Sequence, residues 1–217
     1  MRVHTFSGGP LGQNGYLAVC EEAGEAVVVD PGGGAPAMVD HLKRVGITPA
    51  RVLLTHAHLD HIDGIGDVRA AFPGVPIHLH PADRPLYEAA PRQCAAFGLP
   101  PFDPPPPDRE LAAGQRILFG SCAFEVRHAP GHSPGHVILY APHDGLALVG
   151  DVIFAGSIGR TDLPGGDFRT LIESIRREVL TLPLHTRLLS GHGPETTVEW
   201  EGRHNPFLIP HYGGELA

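Results

Sequence analysis

The chain has 217 residues, of which 42% are hydrophobic and 18% are charged, a composition typical of folded globular proteins. Its formal net charge of −8 argues against a nucleic-acid partner, because affinity for phosphate backbones comes from clustered Lys and Arg. A chain of this length suits a single domain, which we expect over residues 1–217. No stretch approaches the roughly 20 apolar residues that cross a bilayer, and no signal sequence is evident. Because the three cysteines are also scattered, we expect a cytoplasmic protein without a membrane partner.

Short apolar runs separated by turn residues fill the first part of the chain. Alternating and continuous apolar runs predict strands, and three- to four-residue spacing predicts helices. The predicted elements, in chain order, are strands over 16–20 and 26–29 with Gly24 in the turn between them, a helix over 37–45 that ends at Gly46, a strand over 52–54, a helix over 64–72 and a strand over 76–79.

Residues 81–107 are rich in proline and end in four consecutive prolines. Because proline cannot donate a hydrogen bond to a sheet, we interpret this segment as a surface connection, with a lid over a site as the alternative. Beyond it the predicted elements are strands over 116–119 and 124–127, a hairpin of 137–140 with 146–149, an amphipathic helix over 168–180 with Asp167 as its N-cap, and a strand over 188–189.

The strongest chemical signal directly follows the predicted buried strand over 52–54. His56, His58, Asp60 and His61 place four candidate metal ligands within six residues. Imidazole nitrogens and a carboxylate oxygen suit Zn²⁺ and similar ions. A single histidine is more often a packing or surface residue, but four candidate ligands together after a buried strand make that interpretation poor.

Three further candidates, His132, Asp151 and His192, each lie beside a glycine near the end of a predicted strand. Each alone is typical of an ordinary turn. Together with the first four they could hold two divalent ions, which at about 3.5–4 Å apart can share an activating water. One ion would take His56, His58 and His132, the other would take Asp60, His61 and His192, and Asp151 would bridge them. Zinc is the expected metal, with iron or manganese as alternatives.

The motif His-x-His-x-Asp-His, followed by a distant His, Asp and His, resembles the signature of the metallo-β-lactamase superfamily over nearly the full chain. The resemblance implies an α/β fold, the four-layer αβ/βα sandwich, with the metals at the edges of the two sheets. It also implies that Asp30 is a buried residue that holds the ligand loop. A turn residue or cap is the alternative role for Asp30.

Differences between this chain and particular members of the superfamily restrict the activities that we expect. Classical zinc β-lactamases carry cysteine where Asp151 stands, so antibiotic hydrolysis is not expected. Segment 150–167 resembles both glyoxalase II-like hydrolases and persulfide dioxygenases, and segments 191–194 and 205–208 resemble a compact bacterial glyoxalase II-like branch. The resemblance implies a glutathione contact for Arg160, with a salt bridge to Asp162 as the alternative. The chain lacks the C-terminal helical domain of glyoxalase II, so we expect weaker glutathione binding or a different thiol carrier.

The predicted function is hydrolysis of a small-molecule hydroxyacyl thioester, such as S-lactoylglutathione, by a metal-bound hydroxide that Asp60 and Asp151 help to orient. One alternative is a mononuclear iron persulfide dioxygenase that uses His56, His132 and Asp151. The other is a non-catalytic metal-binding scaffold, which is disfavoured because a structural zinc needs only four closed ligands.

Overall fold

Two six-stranded sheets form the centre of the computed structural model, which describes residues 1–209. The first sheet has the order β1-β2-β3-β4-β5-β6. It is antiparallel from β1 to β3 and parallel from β3 to β6. Its strands are β1 (Arg2–Gly8), β2 (Gln13–Cys20), β3 (Glu25–Val29), β4 (Arg51–Leu53), β5 (Ile77–Leu79) and β6 (Arg109–Glu110).

The second sheet has the order β14-β13-β10-β9-β8-β7 and is antiparallel except where β10 pairs with β13. A separate hairpin of two short strands, β11 (Ile153–Phe154) and β12 (Ser157–Ile158), follows β10. The strands of the second sheet are β7 (Arg116–Phe119), β8 (Cys122–His128), β9 (Val137–Ala141), β10 (Leu146–Gly150), β13 (Arg187–Ser190) and β14 (Thr196–Thr197).

Seven α-helices and two other helical turns accompany the sheets in the described part of the chain. The α-helices are α1 (Ala35–Val45), α2 (Leu59–Ile62), α3 (Ile65–Ala71), α4 (Arg84–Glu88), α5 (Ala90–Ala96), α6 (Phe168–Ser174) and α7 (Val198–His204). A 3-10 turn covers Pro81–Asp83, and a π-helical turn, Ile175–Val179, extends α6. Over residues 1–209 we find no helix with both the length and the apolar character that crossing a membrane requires.

Three apolar clusters divide the protein into layers. Side chains of β2 alternate between them, because successive residues of a strand point to opposite faces. Tyr16 and Ala18 face the second sheet, whereas Leu17 and Val19 face α1 and α3. The outer face of the second sheet packs against α6. The layers therefore run helix, sheet, sheet, helix, which confirms the predicted αβ/βα sandwich.

Local signals located most of the longer elements to within a few residues. The helix α1 ends at Gly46, whose φ of 69° is left-handed and therefore suits glycine. The Asp167 side chain accepts a hydrogen bond of 2.8 Å from the backbone N–H of Thr170, as expected of an N-cap. The single helix predicted over 168–180 is α-helical only to Ser174 and continues as the π-helical turn. Strands β1, β6, β11, β12 and β14 and helices α2 and α7 were not predicted.

The prediction of a surface connection over 81–107 missed α4 and α5. Both helices carry proline in their first turn, where its missing N–H costs no helical hydrogen bond. The proline run beyond α5 is held against α4, because the Tyr87 hydroxyl donates a hydrogen bond of 2.7 Å to the carbonyl of Pro105. The two helices matter for function because α5 lies beside the candidate metal ligands.

Candidate metal centre

The loops that follow four strands meet at one edge of the two sheets. His56 and His58 follow β4, and Asp60 and His61 lie in the short helix α2 that comes next. The remaining three candidates follow strands of the second sheet: His132 comes after β8, Asp151 after β10 and His192 after β13. Tertiary structure thus gathers all seven residues that were predicted as ligands.

His56, His58 and His132 form the first cluster, and all three are buried. Nε2 of His132 lies 2.8 Å from Nδ1 of His58 and 3.3 Å from Nε2 of His56. Burial, with help from neighbouring imidazoles, lowers the pKa of His58 to about 3 and also lowers the pKa values of His56 and His132. These imidazoles are therefore neutral near pH 7, which is the form that binds a metal.

Asp60, His61 and His192 form the second cluster. Nε2 of His192 lies 3.1 Å from Oδ2 of Asp60. Burial opposes charge on His61, but the carboxylates of Asp151 and Asp30 outweigh it and raise the His61 pKa well above its usual range. The neighbouring carboxylates likewise raise the pKa of His192, so both imidazoles of this cluster favour the protonated form.

Asp151 lies between the two clusters. Its Oδ1 is 3.3 Å from Nε2 of His61, and its Oδ2 is 3.6 Å from Nε2 of His132 in the first cluster. Burial alone would raise the pKa of Asp151, but His61 above all, together with His132 and His192, lowers it well below its usual range. An ionised carboxylate that faces both clusters has the position of a bridging ligand.

Two buried atoms show that the site fits metal ions. Nε2 of His61 and Oδ1 of Asp151 lie 3.3 Å apart, and neither atom has a well-aligned hydrogen bond to any group within residues 1–209. Buried polar atoms are nearly always paired, so an unpaired nitrogen and oxygen aimed into one space indicate missing ligand bonds. The side chains of the two clusters, with Asp151 between them, therefore fit divalent metal ions.

Asp30 holds the ligand loop from behind and is itself buried. Its Oδ1 accepts a hydrogen bond of 2.7 Å from the backbone N–H of Thr55, and its Oδ2 accepts one of 2.6 Å from the Thr55 hydroxyl. Oδ2 also lies 2.9 Å from Nδ1 of His61, so that Nε2 of His61 is directed into the second cluster. Asp30 has a φ of 47°, the one positive φ outside glycine among the described residues, and such strain is typical of functional sites.

Asp83 is a buried carboxyl group that the sequence analysis missed. It accepts hydrogen bonds from the backbone N–H of Ala57 (3.0 Å) and from two groups of the His132 loop, the Ser133 hydroxyl (2.8 Å) and the Gly135 N–H (2.6 Å). It thereby joins the two loops that build the first cluster. The available signal was a polar residue just beyond the end of the predicted strand over 76–79, the pattern that marks the other site residues.

Gln93 of α5 and His136 support the same loops. The Gln93 side chain accepts a hydrogen bond from the Leu59 N–H (3.0 Å) and donates one to the Ala57 carbonyl (3.1 Å). His136 accepts a hydrogen bond of 3.0 Å from the Asp151 N–H and stacks on His56, with 4.7 Å between ring centroids. Neither residue has a side chain in a candidate ligand cluster, so their contribution is to position the ligands.

Arg160 has two contacts of different kinds. Its guanidinium forms a bidentate ion pair with the exposed carboxylate of Asp162, with distances of 2.8 and 2.7 Å. Its backbone carbonyl accepts a hydrogen bond of 2.8 Å from Nδ1 of His132, which leaves Nε2 of His132 free for the first cluster. The salt bridge considered as the alternative role of Arg160 is therefore present, and the residue also reaches the cleft above the site.

A family model described as the metallo-beta-lactamase superfamily matches residues 8–192. This chain belongs to the metallo-β-lactamase superfamily. A curated relative from Haemophilus influenzae, described as hydroxyacylglutathione hydrolase GloC, is 38% identical over 90% of this chain and 93% of its own length.

Two solved structures of superfamily members extend this comparison. A di-iron-bound form of TTHA1623 is 44% identical, covers 94% of this chain and 100% of its own, and superimposes with a TM-score of 0.86. BLEG-1, described as a B3 metallo-beta-lactamase, is 41% identical, covers 95% of this chain and 99% of its own, and has a TM-score of 0.88. These likenesses extend over nearly the whole chain.

Proposed function

We propose that this superfamily member is a metal-dependent hydrolase that cleaves a hydroxyacyl thioester such as S-lactoylglutathione. The observation that carries the proposal is the pair of adjacent ligand clusters with the Asp151 carboxylate between them. Two bound divalent ions would polarise a thioester carbonyl and lower the pKa of water towards about 7, so that attack on the carbonyl proceeds at neutral pH.

The residues of the site have separate roles in this scheme. The neutral imidazoles of the first cluster provide lone pairs without first having to lose a proton. Burial opposes ionisation of Asp60, but His192 and His61 outweigh it and lower the Asp60 pKa. The ionised carboxylates of Asp60 and Asp151 accept hydrogen bonds from the attacking water and orient it towards the carbonyl carbon. Asp30 and Asp83 keep the ligand loops in place during this step.

The relative described as a hydroxyacylglutathione hydrolase supports the thioester as substrate. The di-iron form of TTHA1623 supports a site for two ions and makes iron a candidate beside zinc and manganese. Both proteins match over nine-tenths or more of this chain.

The test is thiol release from S-lactoylglutathione by metal-loaded protein, with metal content measured on the same samples. His58→Ala should reduce release to the uncatalysed background, because it removes one of the three nitrogens of the first cluster. His143→Ala is the matched control, since His143 is exposed on the β9–β10 turn away from both clusters. Release by the wild-type protein that does not exceed release by His58→Ala would refute the proposal.

β-Lactam hydrolysis is the second candidate, although the sequence led us not to expect it. The 41% identity to BLEG-1 is the observation that favours it. Ring opening of a β-lactam also begins with attack of water on a carbonyl, so the same seven residues would serve. The chromogenic cephalosporin nitrocefin, assayed beside S-lactoylglutathione, separates the two: the thioester should show the higher kcat/KM, and the reverse order would make the β-lactam the preferred substrate.

Neither the persulfide dioxygenase hypothesis nor the scaffold hypothesis accounts for all of the candidate metal ligands. A mononuclear iron would use His56, His132 and Asp151, whereas Asp60, His61 and His192 form a second complete cluster. A structural ion would need only four ligands. The persulfide dioxygenase hypothesis is checked by measuring oxygen uptake with glutathione persulfide as substrate. Our proposal predicts that no oxygen is consumed.

A further inference from the structure

A cleft of about 1190 Å³ leads from the surface to the two ligand clusters. Helices α4 and α5 form one wall, the turn between β1 and β2 forms another, and the segment 154–165 forms the third. Three large apolar side chains on these walls are solvent-exposed: Leu11 by 59%, Phe97 by 55% and Leu99 by 40%. Exposed apolar side chains grouped around a concave site typically mark a binding surface.

The polar side chains of the cleft are few once the metal ligands are set aside. They are Asp63, Arg92, Gln93 and Arg160. Gln93 uses its amide on the backbone of Ala57, Leu59 and Leu86, and the guanidinium of Arg160 is paired with Asp162. The Gln93 amide is thus occupied by the backbone, whereas the Arg160 guanidinium uses two of its five N–H donors on the exposed Asp162.

Two of the charged side chains of the cleft, Asp63 and Arg92, form no ion pair within residues 1–209, and they have opposite charge. Asp63 is a carboxyl group, which repels a substrate carboxylate. Arg92 is the one cation lining the cleft that forms no ion pair within residues 1–209. Glutathione carries two carboxylates, an ammonium group and two amides, so the cleft has too few matching partners for it.

We propose that the cleft selects thioesters that have uncharged, apolar groups on both sides of the reacting carbonyl, in preference to thioesters of glutathione. The inference rests on the proposed thioester hydrolysis and names its substrate class. Burying the charged groups of glutathione against these walls removes their water without replacing it. An apolar chain instead gains free energy when it leaves water for the walls formed by Leu11, Phe97 and Leu99.

The experiment compares four thioesters that combine two acyl groups with two thiols. The acyl group is lactoyl or hexanoyl, and the thiol is glutathione or the neutral N-acetylcysteamine. Thiol release by metal-loaded wild-type protein gives kcat/KM for each. We expect hexanoyl-N-acetylcysteamine to exceed S-lactoylglutathione by roughly tenfold or more, since each apolar group gained in a pocket contributes on that scale.

A pair of matched variants tests whether the cleft wall causes the preference. Leu11→Ser removes an apolar side chain from the wall but keeps the backbone carbonyl that lies 3.3 Å from Nδ1 of His192. Leu118→Ser is the control, because Leu118 on β7 is the same residue type with a similar exposure of 58% and lies outside the cleft. Leu11→Ser should lower kcat/KM roughly fivefold for the hexanoyl substrate and by a clearly smaller factor for S-lactoylglutathione, whereas Leu118→Ser should change neither.

The outcomes distinguish this inference from the function on which it rests. A higher kcat/KM for S-lactoylglutathione than for hexanoyl-N-acetylcysteamine would overturn the apolar preference and leave thioester hydrolysis standing. An equal effect of Leu11→Ser on both substrates would also overturn it. Background rates for all four thioesters would refute the proposed function, and the inference with it.

Discussion

Gly191 lies against the centre of the site, and a single added methyl group there should disable it. A Cβ at this position would lie 2.6 Å from Cε1 of His61 and still closer to Oδ1 of Asp151, whereas ordinary contact begins at 3.4 Å. The backbone cannot retreat easily, because the Gly191 N–H donates to the Gly150 carbonyl (2.8 Å) and the Gly191 carbonyl accepts from the Asn14 N–H (2.7 Å). The His61 ring would therefore have to move by about 0.8 Å and the Asp151 carboxylate by more.

Displacement of reacting groups by about 1 Å costs roughly a hundredfold in rate. We expect Gly191→Ala to lower kcat/KM for thioester hydrolysis by about that factor and to bind fewer than two ions per chain, as measured by elemental analysis. Gly193→Ala is the matched control in the same loop. Its Cβ would meet nothing within 4 Å, and only its φ of 74° opposes alanine. It should cost about 1–2 kcal/mol of stability and keep its metal. A Gly191→Ala protein with wild-type rate and metal content would refute this description of the site.

Two further predictions concern the metal-free protein, in a chelator. Asp83→Ala leaves two buried N–H groups without acceptors and should lower the free energy of unfolding in urea by about 2–4 kcal/mol. The control Ser133→Ala removes one donor to the same carboxylate and should lower it clearly less. Equal losses in the two variants would contradict the role given to Asp83. His58 has a pKa lowered to about 3 in the folded chain, so below its unfolded value of 6.5 the unfolded chain binds the extra proton. The stability contributed by neutral His58 is therefore complete above pH 6.5 and is lost as the pH falls towards 3. Between pH 7 and pH 5 the free energy of unfolding in urea should decrease less for His58→Gln than for the wild-type protein. An identical decrease would show that the pKa of His58 is not lowered in the folded chain.

Local sequence patterns were sufficient for the ligands and for most of the framework around them. The motif from His56 to His61 was recognisable because its residues are adjacent in sequence and follow a buried strand. The strand and helix periods follow from which residues must face a core, and this is why β7 was predicted to the residue. The helix stop at Gly46 and the N-cap at Asp167 depend on chemistry within a few residues, so they too were predictable.

The parts that could not be predicted depend on neighbours distant in the chain. Prolines at the start of α4 and α5 look the same as prolines in a loop, and the contact of Gln93 on α5 with the ligand loop joins residues 36 positions apart. The link that Asp83 makes between two ligand loops joins residues up to 52 positions apart, and no local pattern records such a distance.

The sequence by itself therefore determined which side chains are candidate metal ligands and which faces of the strands are buried, because both follow from residue chemistry and short-range periodicity. Only the tertiary structure decided the distances that separate the two clusters from Asp151, how Asp30 and Asp83 hold the ligand loops, and that an apolar cleft stands above them. These properties arise where loops from two sheets meet, and the distances between such loops are set by the packing of the whole sandwich.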